Sequence, residues 1–369
     1  MSSSIIPLMI QKIKLTNFRN FREKLFSFSP KTTVIIGDNA TGKTNILESL
    51  FLISTGKSFH AHLEEEMIKN SEDIARVKGR VTSDESMNLE VILTRGRIEV
   101  GDDKFEKTPR KKLLVNGVSR RLIDFAGNFK VALFGPWDMD LVTGSPSGRR
   151  GFLDTVLSGV DWEYRRAILS YEKGLRQRNR LLWQIREYPS AGSGRMRLIF
   201  WNQLLIKNGD YISQKRQELI DFFNNNEPMT MHAKVGMNYK LSYDKSVISE
   251  ARLEQYRDEE VAAATTLVGP HRDDFVFLIG ESRKTRDLSR FGSRGEQRMA
   301  ILWLKLCELA FVEAKTSEKP TLLLDDIFSE LDHDHRAIVM EIVNNQQTLI
   351  TTADPHFVEN FKVSEKIKL

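Results

Sequence analysis

Residues 37–44 constrain the fold of this chain more than any other segment. They read GDNATGKT, follow the apolar run TTVII at 32–36 and precede the apolar-rich run TNILESLFLI. This is the pattern G-x-x-x-x-G-K-[ST] in a strand–loop–helix setting. Glycines let backbone N–H groups surround a phosphate chain, and the N-terminus of the next helix adds partial positive charge. The segment therefore predicts an α/β fold with a site for a nucleoside triphosphate.

This phosphate loop supplies most of the candidate nucleotide-binding residues. We expect the Lys43 ammonium group to reach the β- and γ-phosphates and the Thr44 hydroxyl to bind Mg²⁺. The candidates are Gly37, Asp38, Asn39, Ala40, Thr41, Gly42, Lys43, Thr44 and Asn45. An ordinary glycine-rich turn is the alternative, and the flanking strand and helix disfavour it.

Two adjacent carboxylates follow a second apolar strand, TLLLD at 321–325. A phosphate loop needs such a carboxylate nearby to organise the metal, so we expect Asp325 to contact Mg²⁺ through water. Asp326 is then placed to polarise the attacking water. Asp326, Asp325 and Lys43 are the candidate catalytic residues. A strand that simply ends in a polar turn is the alternative, and the upstream phosphate loop disfavours it.

A third motif, SRGEQR, begins at Ser293 and opens a long apolar-rich helix predicted at 294–315. A serine hydroxyl, a glycine N–H group and a helix N-terminus make another anion site. Since the first loop already holds one nucleotide, this site is useful if Ser293 and Gly295 contact the nucleotide of another subunit. The alternative is that Ser293 only caps the helix.

The length and composition predict a soluble two-domain protein. The chain has 369 residues, 40% of them hydrophobic and 28% charged. Its one cysteine, Cys307, excludes an intramolecular disulfide framework and a cysteine-rich zinc site. The first ten residues lack the features of a secretory signal, and no apolar run reaches the length of about 18 residues that a membrane span needs. We therefore expect a cytoplasmic protein with no membrane partner.

The chain changes character near residue 150. Helical patterns at 161–187 and 195–224, joined by SAGSG at 190–194, predict two antiparallel helices about 40 Å long. The predicted organisation is an α/β domain, residues 1–150 and 258–369, with a mainly helical arm inserted at 151–257.

The arm has an unusual charge balance. Twelve Lys or Arg residues face three acidic residues between positions 165 and 216, whereas the whole chain has a net charge of only +5. Helix surfaces usually mix both signs, and one-signed clusters suit the neutralisation of phosphates. The candidate DNA-binding residues are Arg165, Arg166, Arg176, Arg178 and Arg180. A solvated helix face is the alternative.

In this order and spacing, the three motifs resemble the ATPase heads of the ABC/SMC class. SRGEQR is similar to their signature motif, and SELD at 329–332 to their D-loop. The segments STGKSF at 54–59, PWDMDLVTGSPSGRRGFLD at 136–154 and VGPHRDDF at 268–275 narrow the resemblance to the RecF family of bacterial recombination mediators.

The resemblance implies an ABC-type P-loop ATPase head with mixed sheets plus the inserted helical arm. It implies ATP and Mg²⁺ as cofactors, and Ser293, Gly295, Gln297 and Arg298 as the signature residues that contact nucleotide. It also implies an ATP-dependent homodimer that binds duplex and gapped or single-stranded DNA. Weak, DNA-stimulated ATP hydrolysis would release the DNA. The implied setting is recombinational repair, fork recovery and the SOS response, with RecO and RecR as partners.

Several positions depart from the family pattern. Glu296 replaces a usual glutamine, His60 a common arginine and Trp137 a usual acid. Ala353 follows strand TLIT at 348–351 where many ABC heads have a histidine, and Thr352 is the candidate substitute. Two other functions fit part of the pattern. One is the nucleotide-binding subunit of an ABC transporter, and the other is a DNA-structure binder whose ATP is purely structural.

Overall fold

The computed structural model describes residues 9–82, 85–99, 105–188, 194–226, 238–280, 285–329, 336, 339–341, 343, 345–358 and 363–369. The chain forms two compact units. The first is Met1–Asp138 with Glu308–Leu369, and the second is Met139–Cys307. The inserted unit is thus larger than the predicted arm: it also takes in residues 139–150 and 258–307, including the signature-like motif.

The strands are β1 (Met9–Phe18), β2 (Phe21–Ser27), β3 (Thr32–Ile36), β4 (Ile74–Thr82), β5 (Ser86–Thr94), β6 (Arg97–Glu99), β7 (Phe105–Lys107), β8 (Lys111–Val115), β9 (Val118–Arg120), β10 (Val131–Phe134), β11 (Tyr239–Asp244), β12 (Asp274–Ile279), β13 (Arg286–Asp287), β14 (Thr321–Asp325), β15 (Thr348–Thr352) and β16 (Glu365–Lys368). The α-helices are α1 (Lys43–Thr55), α2 (Leu122–Phe125), α3 (Asp140–Thr143), α4 (Pro146–Val160), α5 (Trp162–Glu187), α6 (Gly194–Asn225), α7 (Glu250–Gln255), α8 (Arg257–Ala263), α9 (Leu288–Phe291) and α10 (Arg294–Thr316).

The first unit contains an antiparallel sheet with the strand order β2-β1-β4-β5-β8-β9. Its long strands alternate buried apolar residues with exposed polar ones, because successive side chains of a strand point to opposite faces. The buried face joins apolar residues of α1 and of a second sheet in one core. This core holds the phosphate-loop helix in place.

The second sheet is parallel and has the order β10-β14-β15-β3-β16. Asp325 of β14 is in register with Thr351 of β15, and Thr352 is in register with Ile36 of β3. All of these residues lie at the carboxyl ends of their strands. In a parallel sheet, the carboxyl ends of all strands lie at the same edge. The phosphate loop after β3 and the two aspartates are therefore at the same edge of the sheet.

The second unit contains the long antiparallel helices α5 and α6, the helix α4 and the antiparallel sheet β11-β12-β13. The predicted helices at 161–187 and 195–224 are confirmed as α5 and α6, and the predicted helix at 294–315 as α10. Most of the SAGSG connector lies outside the described residues, and so does most of segment 333–344, whose sequence pattern also predicts a helix. None of the helices in the described ranges is both long and apolar enough to span a membrane.

Candidate nucleotide-binding site

The phosphate loop is fixed by the turn between β1 and β2. Gly42 has φ 106°, and a Cβ at this position would lie 2.6 Å from Asn20 Nδ2, so glycine is required there. Asn20 donates a hydrogen bond to the Thr41 carbonyl oxygen at 2.9 Å and accepts one from Asn45 at 2.9 Å. The sequence reasoning did not identify Asn20, which lies within TNFRNF, in the short turn between β1 and β2, with two strands between it and the motif.

Lys43 is buried and folds back over its own loop. Its Nζ donates hydrogen bonds to the carbonyl oxygens of Gly37 at 2.6 Å and Asp38 at 2.9 Å. The ammonium group is thus held within the loop, where phosphate oxygens would be alternative acceptors. The loop itself is tightened by the Thr41 hydroxyl, which donates to the Asp38 carbonyl oxygen at 2.8 Å.

Thr44 and Asp325 meet across the sheet edge, although they are separated by 281 positions in sequence. The Thr44 hydroxyl donates to Asp325 Oδ2 at 2.8 Å, and the Thr351 hydroxyl donates to Asp325 Oδ1 at 2.5 Å. Asp325 is only 4% exposed. A hydroxyl and a carboxylate this close fit Mg²⁺, which prefers oxygen ligands and shares its shell with waters and phosphates. Thr351, which the sequence reasoning missed, orients this carboxylate.

Asp326 adopts a left-handed backbone conformation, with φ 50°. Its N–H group donates to the Thr351 carbonyl oxygen at 3.2 Å and to the Thr351 hydroxyl at 3.1 Å. The conformation costs a non-glycine residue on the order of 1 kcal/mol, so these bonds hold a strained residue at the sheet edge. The Thr352 hydroxyl instead donates to the Asp354 carbonyl oxygen at 3.0 Å and accepts from the Asp354 N–H at 3.2 Å. Thr352 thus closes its own turn.

A buried ion pair supports the helix that carries Lys43 and Thr44. Glu48 is 1% exposed and accepts two hydrogen bonds from Arg19, at 2.7 and 2.6 Å, and one from the Ser58 hydroxyl at 2.5 Å. Ser58 belongs to the STGKSF segment, so this segment is tied to α1. Phe59 of the same segment stacks on Trp137, with ring centroids 4.8 Å apart.

The signature-like motif forms a reciprocal cap on α10. The Ser293 N–H donates to Glu296 Oε2 at 2.7 Å, and the Glu296 N–H donates to the Ser293 hydroxyl at 3.2 Å. Ser293 is therefore a helix cap, and both Ser293 and Gly295 are exposed at the helix start. The hydrogen bond from the Ser293 backbone is the main reason that the pKa of Glu296 lies below its usual value.

Gln297 corrects the sequence-based prediction. It was expected to contact nucleotide, but its side chain is buried and its amide nitrogen donates to the Leu288 carbonyl oxygen at 3.1 Å. One turn into a helix, this side chain points into its own unit. Arg298 is half-buried. In the D-loop-like SELD segment only Ser329 is described, and residues 330–332 lie outside the described ranges.

Arg178 also corrects a prediction. It was expected to contact DNA, but it is 2% exposed and forms an ion pair with Glu260 at 2.6 Å. It also donates to Thr266 Oγ1 and Asn202 Oδ1, both at 2.8 Å. Its guanidinium group pairs with a carboxyl group inside the second unit, because Glu260 is itself fully buried.

The remaining arm candidates lie in different surroundings. Arg176 and Arg180 are exposed on α5. Arg165 donates to the Ser158 carbonyl oxygen at 2.5 Å, and Arg166 forms an ion pair with Glu163. The exposed basic residues described on α5 and α6 are Lys173, Arg176, Arg180, Arg186, Arg197 and Lys207, of which Arg186 forms an ion pair with Glu187.

The two family-like blocks at 136–154 and 268–275 bind each other. Arg149 forms a two-pronged ion pair with Asp274, at 2.6 and 2.9 Å, and Arg150 donates to the Asp273 carbonyl oxygen at 2.8 Å. The buried Arg216 bridges Asp273, at 2.9 Å, and Asp154, at 2.8 Å. These blocks therefore form an internal charged network in the second unit.

His271 lies in the same network and is kept neutral. One ring nitrogen is 2.8 Å from the Tyr171 hydroxyl, and the other is 3.0 Å from the Thr266 carbonyl oxygen. Burial lowers the pKa of His271 to about 4. His271 thus has a structural role in the PHRD stretch, in which Asp273 is buried and Arg272 is exposed.

Comparison with known proteins places these features in a family. The model of the RecF/RecN/SMC N-terminal domain family matches residues 9–369. The DNA replication and repair protein RecF of Herpetosiphon aurantiacus is 34% identical over 96% of this chain and 96% of its own length. The chain belongs to the RecF family.

Solved structures of RecF agree with this assignment. One of them is a structure of the recombination mediator protein RecF-ATPrS. This chain matches it with a TM-score of 0.86 at 28% identity, and the match covers 99% of this chain and 97% of that one. A RecF-ATP structure has a TM-score of 0.84 at 28% identity, covering 96% and 94%. The predicted fold class, an ABC-type ATPase head with an inserted helical arm, is confirmed by these RecF matches.

Proposed function

We propose that this chain is an ATP-dependent DNA-binding protein of recombinational repair. Two copies close around ATP and hold DNA, and slow hydrolysis releases it. The observation that carries this proposal is the 2.8 Å hydrogen bond between Thr44 and Asp325, which joins the phosphate loop to a buried carboxylate. Support comes from RecF-family membership and from the relatives described as RecF-ATP and as DNA replication and repair proteins.

In the proposed site, residues 37–45 bind the triphosphate. Lys43 exchanges the carbonyl oxygens of Gly37 and Asp38 for phosphate oxygens. Thr44 and Asp325 would hold a magnesium ion, which would neutralise charge on the β- and γ-phosphates. Thr351 keeps the Asp325 carboxylate oriented toward Thr44.

Hydrolysis in this proposal depends on Asp326. Its carboxylate accepts a proton from the attacking water, and its strained backbone is held by Thr351. We propose a weak ATPase activity that DNA stimulates.

Dimerisation uses the exposed start of α10. Ser293 and Gly295 lie on the surface at a helix N-terminus, so they are accessible to the γ-phosphate of a nucleotide held by a second copy. Arg176 and Arg180 of the arm contact duplex or gapped DNA. RecO and RecR are the proposed partners, by family membership. The long α5–α6 pair and the RecF relatives disfavour the transporter-subunit alternative.

A nucleotide titration tests the proposal. Lys43→Ala should lose ATP binding. Asp325→Asn should still bind ATP in EDTA, but its ATP affinity should no longer depend on Mg²⁺, and it should lose phosphate release. Lys57→Ala, an exposed lysine just beyond α1, is the matched control and should behave as the wild type. Wild-type ATP affinity in Lys43→Ala would contradict the proposal. A Lys43→Arg chain that dimerises and binds DNA without nucleotide would instead favour a purely structural ATP.

A further inference from the structure

The outward face of the antiparallel sheet in the first unit carries a concentrated set of cations. β1 and β4 turn apolar residues such as Ile13 and Val77 inward, so their alternate residues face outward. We call the outward basic residues of this sheet the basic face. They are Lys12, Lys14, Arg76, Lys78, Arg80 and Lys112.

The strand register places like charges directly opposite each other. Lys12 is paired with Arg80, and Lys14 with Lys78. Directly opposed like charges destabilise a sheet, because these side chains are neighbours. A sheet selected only for stability would place opposite charges at these paired positions. The repulsion between like charges therefore indicates that these residues have a function.

Acidic residues on the flanking strands neutralise only part of the basic face. Glu23 of β2 forms an ion pair with Lys14 at 2.7 Å, and Glu90 of β5 forms one with Arg76 at 3.4 Å. Glu90 is also in register with Lys78, but its ion pair is with Arg76. Within the described ranges, Lys12, Lys78 and Arg80 have no acidic partner within ion-pair distance.

Protection against aggregation does not explain this pattern. Charges serve that purpose on edge strands, where unpaired backbone groups are exposed. β1 and β4 are interior strands, since β1 pairs with β2 and β4, and β4 pairs with β5. Their backbone groups are already paired, so the cations protect no edge.

We propose that the basic face binds the phosphate backbone of duplex DNA, as a second contact surface in addition to the arm. This inference rests on the proposed DNA-binding function and locates part of it in the first unit. Outward residues two positions apart lie about 6.8 Å apart along a strand, and neighbouring strands lie about 4.8 Å apart, so the cations form a grid. Such a grid contacts phosphates and reads no base edges.

Duplex DNA fits this surface better than single strands do. The six outward positions of the β1–β4 pairing are Lys12, Lys14, Thr16, Arg76, Lys78 and Arg80, and none is aromatic. Binding of unpaired bases depends on aromatic stacking platforms. We therefore expect sequence-independent and strongly salt-dependent binding.

The test compares two triple variants in the full chain with ATP. The first is Lys12→Gln, Lys78→Gln and Arg80→Gln. The control is Lys31→Gln, Arg120→Gln and Lys366→Gln, which removes the same charge from exposed positions off the basic face. Fluorescence anisotropy with a random-sequence duplex is measured across a salt titration, together with thermal unfolding.

The basic-face variant should show a slope of log Kobs against log salt that is smaller by about 2.7, at about 0.9 per lost phosphate contact. Its melting temperature should equal or exceed that of the wild type, because repulsion is removed. The control should keep the wild-type slope. The conservative variant Lys12→Arg with Lys78→Arg should also bind as the wild type does.

Equal slopes for the basic-face variant and the wild type would overturn this inference, and so would an equal loss in the control. Both outcomes leave the proposed function intact if the wild type binds duplex DNA. A wild type that does not bind duplex DNA with ATP would overturn the proposed function itself. An Arg176→Gln, Arg180→Gln variant measured in parallel reports on the arm surface separately.

Discussion

Arg178 and Arg180 are two positions apart on α5, and the structure predicts opposite consequences for their removal. Arg178 is 2% exposed, and the carboxylate it pairs with, on Glu260, is fully buried. Arg178→Ala would leave the Glu260 carboxyl group in the interior without its ion-pair partner, while the Leu267 N–H still donates to its other oxygen at 2.8 Å. Removing one partner of a buried ion pair costs about 3–5 kcal/mol of folding free energy.

Urea unfolding followed by circular dichroism measures this cost, and the double variant Arg178→Met, Glu260→Met is the matched comparison. Replacing both charges by apolar groups is often close to neutral, so most of the stability should return. Arg180→Ala should leave the free energy of unfolding within about 0.5 kcal/mol of the wild type, because its side chain is exposed. An Arg178→Ala chain with wild-type stability but a reduced salt dependence of DNA binding would refute the structural role.

Three further predictions concern the site and the network beside it. Thr351→Val should weaken Mg²⁺-dependent ATP binding several-fold by freeing the Asp325 carboxylate, whereas Thr352→Val should not; isothermal titration with and without EDTA separates the two. Glu296→Ala should cost about 1 kcal/mol of stability in urea unfolding, since it removes half of the reciprocal cap, and Glu296→Gln should recover most of it. Because the pKa of His271 is depressed to about 4, the unfolded chain binds its proton first, so stability present above pH 6.5 should fall by on the order of 3 kcal/mol as the pH drops to 4. His271→Gln should remove that part of the pH dependence, and an unchanged profile would contradict it.

The local features of the fold were predictable from the sequence because they depend on neighbouring residues. The phosphate loop lies between β3 and α1 as its pattern predicts, and the helix predicted at 161–187 ends at the same residue as α5. Asp325 was identified from an apolar strand followed by two acids, and register in a parallel sheet then places it beside Thr44.

Features that depend on tertiary burial were not predictable in this way. Arg178 and Gln297 have ordinary helical spacing, and nothing local distinguishes them from exposed neighbours. Their partners, Glu260 and the Leu288 carbonyl oxygen, are brought to them by the fold. Thr351 had a local signal, since it is one of two hydroxyl residues ending β15, but choosing between them requires the alternation of side chains along the strand.

In the proposed dimer, one copy holds the triphosphate, and Ser293 and Gly295 of another copy complete its binding site. Sedimentation velocity of mixed variants tests it most directly, with a non-hydrolysable ATP analogue and with ADP. Lys43→Ala cannot bind the nucleotide, and Ser293→Arg can bind it but blocks the second copy, so each alone should remain a monomer. Their mixture restores one complete site, so it should form a nucleotide-dependent dimer with one analogue bound. Undiminished dimerisation of Ser293→Arg alone, or equal dimer in the analogue and in ADP for the wild type, would contradict it.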